Sequence, residues 1–178
     1  MSEIIVQKFG GTSVGSDERI NAVANIIKNA TKENKVIVVV SAMSGETNRL
    51  IKLAKSFSDN PNRREFDALI STGEKVSASL LAMALEANGV KAKSFSASQI
   101  SMKTTSHHSK ARIVDVDGKK ILSTLNEGIV PIITGFQGVT ESGDVTTLGR
   151  GGSDTTAVAI AAQVDAARCD IYTDVDGI

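Results

Sequence analysis

Short aliphatic runs that halt at glycine alternate with longer stretches of helical period along this chain, and that alternation leaves few folds open. Residues 3–9 form a β-branched run that stops at Gly10-Gly11, and residues 35–40 are almost continuously aliphatic. A strand of that second kind is expected where both faces of a parallel sheet are covered. Between the two, Ser16 offers an N-cap and Asp17 and Glu18 place acid in the first turn, where the helix dipole favours it. Ile20, Val23, Ala24, Ile27 and Ala30 then recur at helical spacing.

The pattern continues. A helix is expected over residues 47–57, breaking at Asp59-Asn60-Pro61-Asn62, and another over 64–87, with an interruption at Ser71-Thr72-Gly73. Asn88-Gly89 ends it and a strand follows over 90–95. Residues 96–110 are rich in Ser and Thr without a clear period and read as a loop with room for a short strand. Next come a strand over 111–116, a helix over 118–126, a strand over 129–134, a Gly- and Thr-rich hairpin over 135–149, an Ala-rich helix over 153–164 and a strand over 169–173. Such alternation specifies βαβ units with right-handed crossovers: an α/β fold, with helices on both faces of a largely parallel sheet. One domain is expected over 1–178. The last strand runs into Asp174-Val175-Asp176-Gly177 and no helix follows to cover it, which is the expectation for a piece of a longer domain.

Composition excludes several classes of function. The 178 residues carry 20 Lys+Arg against 20 Asp+Glu, so no cationic excess exists to displace counterions from a nucleic acid. The single Cys169 precludes an internal disulfide, and no Cys/His cluster has zinc spacing. Aliphatic runs such as 36–40 are too short to span a bilayer, and Ile4-Ile5-Val6 is broken at once by Gln7-Lys8, unlike a signal peptide. The expectation is a cytoplasmic protein with neither a nucleic acid nor a membrane as partner.

In an open α/β sheet, ligands sit beyond the carboxyl ends of the strands. Four glycine-bearing turns fall there: Gly10-Gly11, Ser41-Ala42-Met43-Ser44-Gly45, Gly135-Phe136-Gln137-Gly138 and the turn after residue 173. A fifth, Gly149-Arg150-Gly151-Gly152, leads into a helix N-terminus. Glycine lets backbone N–H groups approach an anion and a helix start adds unpaired donors, although any one such turn can be mere punctuation. Two of the turns carry a cation, Lys8 and Arg150. Neither a P-loop nor a Gly-x-Gly-x-x-Gly fingerprint is present.

Lys8-Phe9-Gly10-Gly11-Thr12-Ser13-Val14, Val39-Val40-Ser41-Ala42-Met43 and Ser71-Thr72-Gly73-Glu74 resemble the corresponding segments of the aspartokinases, within the amino acid kinase family. So do Gly135-Phe136-Gln137-Gly138, residues 148–157 and residues 172–177, all in the family's order and over the whole chain. The resemblance implies a three-layer αβα sandwich and ATP-dependent phosphorylation of the β-carboxylate of L-aspartate, with Mg²⁺ carried mainly on the phosphates. It also implies the first step towards lysine, threonine and methionine, an oligomeric enzyme, and the rest of the kinase domain and regulatory ACT domains beyond residue 178. Other amino acid kinases acting on acetylglutamate or uridylate remain open, as does a catalytically incomplete binding unit.

The residues suit that chemistry. A carboxylate nucleophile, with an ordinary pKa of about 3.9, is ionised at neutral pH and needs no general base. The obstacle is charge: two like charges ~4 Å apart repel by roughly 4 kcal/mol at an effective dielectric of ~20. By resemblance Lys8 and Asp154 are catalytic, with Asp154 orienting Lys8, while Lys8, Phe9, Gly10, Gly11, Thr173 and Asp174 bind ATP. Ser41, Thr47, Glu74, Arg150, Gly151, Ser153 and Asp154 line the aspartate side, with Arg150 suited to the α-carboxylate and Glu74 to the ammonium. Read on its own, Glu74 could be a solvated helix charge and Asp154 a plain N-cap. His107-His108 reads as a surface pair, Asp115 and Asp117 as turn chemistry, and Cys169 as a small buried residue. Tyr172 to Gly177 only faintly resembles a calcium loop.

Overall fold

Parity along the strands divides the interior into two cores. The computed structural model describes residues 2–174, so Val175, Asp176, Gly177 and Ile178, including the end of the expected last turn, lie outside the described residues. Strands β1 (Ile4–Phe9), β2 (Lys35–Val40), β3 (Ala92–Phe95), β6 (Val130–Thr134) and β9 (Arg168–Tyr172) form a five-stranded sheet in the order β3-β6-β2-β1-β9. All four pairings are parallel. Alternate side chains face opposite sides. Val36, Val38 and Val40 therefore pack with α1 (Asp17–Ala30) and α4 (Thr72–Ala87), through Ile20, Val23, Ile27, Ala78, Leu81 and Leu85. Ile37 and Val39 face α5 (Lys119–Asn126) and α6 (Gly152–Gln163), through Ile121, Leu125, Ala157 and Ile160. This is the expected αβα sandwich, and its double coverage explains the aliphatic run of β2.

Local signals account for several boundaries. The Ser16 side chain accepts from Arg19 N–H and caps α1, and Asp117 accepts from the N–H of Lys119 just before α5. The anticipated break near Ser71 separates α3 (Arg63–Ile70) from α4. Residues 63–87, 25 in all, are long and apolar enough by composition to cross a membrane. The break at Ser71 and the burial of Ala78, Leu81 and Leu85 against the sheet show a core helix instead.

One layer exceeds the expectation. The loop over 96–110 does contain a strand, β4 (Met102–Thr104), and it builds a second sheet with β5 (Ile113–Val116), β7 (Gln137–Val139) and β8 (Val145–Thr147) in the order β5-β4-β7-β8. The hairpin expected over 135–149 is β7–β8. It packs against α3, on which α2 (Glu46–Lys55) packs in turn, at the carboxyl end of the large sheet. The loops leaving that end are stitched together: Ser41 N–H donates to Phe9 O at 3.1 Å, Gly135 N–H to Val40 O at 2.9 Å and Gly10 N–H to Tyr172 O at 3.3 Å.

Candidate active site

A cleft of about 310 Å³ opens where these loops meet the N-terminus of α6. Lys8 and Asp154 face each other in it. Lys8 alternates with Phe9 on β1, so its side chain runs towards α6 while Phe9 enters the opposite core and stacks on Tyr172 with ring centroids 4.6 Å apart. Lys8 Nζ lies 2.8 Å from Asp154 Oδ1, with the lysine side chain 10% exposed and the aspartate 50%. The N-cap of α6 is Gly151, at φ 70°, so Asp154 sits in the first turn as Lys8's partner and not as a cap. First-turn N–H groups of a helix have no intrahelical acceptor. A buried ammonium beside them makes an anion site.

Glu74 forms the opposite wall. It is 2% exposed, so it is no solvated helix charge. Its Oε1 accepts from Ala42 N–H at 3.3 Å, and its Oε2 from Gln137 Nε2 at 3.4 Å. Burial pushes the Glu74 carboxyl up to about 7, with the Ala42 N–H opposing. A small residue in the preceding position makes this possible. A Cβ on Gly73 would stand 2.8 Å from the Cβ of Ala42, so only glycine lets the first turn of α4 press against the loop after β2. Ser77 Oγ donates to Ser41 O at 2.7 Å and closes the same seam.

Of the residues expected to form a site, the fold gathers Lys8, Ser41, Thr47, Glu74, Gly151, Ser153 and Asp154 around the cleft. Gly10 borders it, since a Cβ there would lie 3.5 Å from Lys8 Nζ, but its N–H is already given to Tyr172 O. Gly11 lets the first loop touch the second: a Cβ on it would meet Ala42 O at 2.8 Å, and its carbonyl accepts from Ser44 N–H. The Phe9 ring is in the core, so any contact with a ligand falls to its backbone. Arg150, Thr173 and Asp174 are exposed and do not line the cleft.

Three residues had no individual role in the reading of the sequence, although the turn Gly135-Phe136-Gln137-Gly138 was singled out. Phe136 lines the cleft with φ 72°, a backbone strained for a bulky side chain. Gln137 reaches Glu74. Asp67 is wholly buried against Thr147 at the end of β8, and its partner His108 is thereby half-buried instead of a surface residue. Cys169 is half-buried, and burial raises its thiol pKa.

A buried cation at a helix N-terminus opposite a buried carboxylate defines a site for a ligand bearing both anionic and cationic groups. The profile of the amino acid kinase family matches residues 3–178, and the chain belongs to that family. Within it, the chain is 57% identical over 176 residues to an aspartokinase of Geobacillus stearothermophilus, covering 98% of this chain and 43% of that protein. Aspartate kinase from Synechocystis superposes with a TM-score of 0.84 at 48% identity, over 98% of this chain and 29% of that one. Aspartokinase III of E. coli in complex with aspartate and ADP does so with a TM-score of 0.86 at 29% identity, over 99% and 50%. The chain thus spans less than half the length of the curated relatives it matches.

Proposed function

We propose that this chain carries the acceptor side and part of the nucleotide side of an aspartokinase active site, and that a chain of its relatives' length transfers the γ-phosphoryl group of ATP to the β-carboxylate of L-aspartate. The observation that carries this is the opposition of the Lys8–Asp154 pair and buried Glu74 across one cleft. The similar E. coli enzyme was captured with aspartate and ADP, the acceptor and the spent donor of such a transfer.

In this reading Glu74, ionised when the substrate is present, receives the ammonium of aspartate. Thr47 and Ser41 offer polar contacts, and Arg150, at the mouth, clamps the α-carboxylate. The β-carboxylate then points to Lys8. Asp154 holds the ammonium of Lys8 beside the first turn of α6, where it offsets the charge brought together by acceptor and γ-phosphate. Catalysis is positioning and charge neutralisation, with no proton for the protein to move. Thr173 and Asp174 extend the nucleotide side beyond β9. Among the described residues no group of three or more His, Cys, Asp or Glu side chains could hold a metal ion. A Mg²⁺ entering with ATP would be held by phosphate oxygens and water, as its small, reluctantly dehydrated shell favours, and would add to the neutralisation.

The test is hydroxylamine trapping of acyl phosphate, with ADP release followed in parallel, for aspartate, N-acetylglutamate and uridylate. Trapped product and ADP with aspartate alone are expected. ADP release with another acceptor in preference to aspartate refutes the assignment.

A further inference from the structure

Asp67 is a fully buried carboxylate with no part in the chemistry above. It lies in α3 and gathers five contacts from the two segments that flank the cleft's outer wall. His108 Nδ1 lies 2.9 Å from its Oδ2. Ser109 donates to it from its N–H at 2.9 Å and from its hydroxyl at 3.2 Å. Thr147 donates from its N–H at 3.0 Å and from its hydroxyl at 2.8 Å. Thr147 ends β8 and stands opposite Gln137 of β7 in the hairpin register. Gln137 in turn donates to Ser71 O at 3.0 Å and to Glu74 Oε2.

Two buried carboxylates on either side of the α3–α4 break therefore hold the two strands of one hairpin, Asp67 on β8 and Glu74 on β7. The roots of that hairpin are cleft wall. Phe136 precedes β7, and Leu148, which follows Thr147, donates its N–H to Phe136 O at 2.9 Å before the chain passes through Gly149 and Gly151 into α6. The positive φ of Phe136 needs its surroundings to hold it.

We propose that Asp67 is a positioning residue for the acceptor site: by anchoring Thr147 it fixes the hairpin roots, and through them Phe136 and the start of α6. This rests on the reading of the cleft as the aspartate site. Because Glu74 and Phe136 border the acceptor while the nucleotide side is built by β1 and β9, loosening the hairpin acts on aspartate more than on ATP.

The experiment compares Asp67→Ala with Ile27→Ala, a core cavity in α1 away from the cleft, in a chain of the relatives' length. Expected for Asp67→Ala are faster amide exchange over residues 136–153 than in the control, and an aspartate KM raised about tenfold or more with ATP KM changed less than about threefold. Exchange over 136–153 equal to the control, or an unchanged aspartate KM, overturns the proposal. Should Asp67→Ala not fold, Asp67→Asn is read by the direction of the same two changes, since its amide keeps one oxygen on the backbone N–H groups of Ser109 and Thr147 but no longer accepts from their hydroxyls; no rise in either exchange over 136–153 or aspartate KM overturns the proposal. If the parent protein does not phosphorylate aspartate, the function proposed above fails on its own, and the exchange comparison alone decides the role of Asp67.

Discussion

Replacing Glu74 by Gln should make the protein more stable and a worse enzyme, with both effects governed by pH. The carboxyl is pushed from an ordinary 4.5 to about 7 by burial. At about 1.36 kcal/mol per pKa unit, that distance corresponds to ~3 kcal/mol. Below about 4.5 both the folded and the unfolded chain hold the proton. Between 4.5 and 7 the unfolded chain has released it and the folded chain has not, so folding stability falls as pH rises through this window. Above about 7 the loss is complete, and a buried, ionised carboxylate faces one backbone N–H and one amide across the cleft wall. Glutamine has the same shape and no charge to bury. Glu74→Gln should therefore match the parent near pH 4.5 and exceed it by up to ~3 kcal/mol at pH 8. Urea denaturation of both proteins across that range measures the difference directly, since the other titrating groups cancel in the subtraction.

In the proposed reading, the ammonium of bound aspartate reverses the preference, because it would supply the charge the pocket lacks. Aspartate binding at pH 6 should release close to one proton from Glu74, and at pH 8 almost none; calorimetry in two buffers of different ionisation enthalpy counts it. A stability difference that stays flat or grows towards acid, together with no proton release at pH 6, would show that Glu74 is ionised in the free protein and that burial does not control it.

Lys8→Ala should lower turnover by about 10² to 10³ while the aspartate KM changes little, because in the proposed transfer the ammonium acts on charge that develops at the phosphoryl group; initial-rate kinetics separate the two. Gly73→Ala forces apart two Cβ positions 2.8 Å from each other, and should cost about 1–3 kcal/mol in urea denaturation while raising the aspartate KM through Glu74. Arg150→Ala should raise the aspartate KM about tenfold or more, the loss of a charge-assisted contact of roughly 1.5–3 kcal/mol, and leave the urea midpoint unchanged because Arg150 is exposed.

The large sheet could be read from the sequence because its signals are local. Unbroken aliphatic runs marked strands covered on both faces, Ser16 marked a helix start, and Ser71-Thr72-Gly73 marked a break that the backbone makes. The second sheet was legible only in pieces: a strand over 111–116 and the hairpin over 135–149 were expected, but not that β4 joins them into one sheet. β4 is three residues long, Met102–Thr104, with the central Lys103 exposed, too short to show a period, and its neighbours β5 and β7 come later in the chain. Lys8 was visible for a related reason: a cation directly before Gly10-Gly11 at a strand end can only be delivered to the carboxyl edge of the sheet.

Burial of charge was where sequence reasoning ran short, and the cause is physical. Glu74 and Asp67 sit on helices with ordinary helical neighbours, and nothing in the spacing of those helices distinguishes a carboxylate facing water from one facing the protein. What distinguishes them is the set of donors that replaces water. Those donors arrive from far along the chain: Asp67 draws His108 and Ser109 from 41 and 42 residues away and Thr147 from 80, and Glu74 draws Gln137 from 63. A buried carboxylate is tolerable only if every such partner arrives. The two anchors therefore form only when the hairpin docks onto α3 and α4, and that same docking sets Phe136 and the start of α6 in place. Part of the cleft wall is thus held by contacts between residues far apart in the chain, and those contacts are what no local pattern announces.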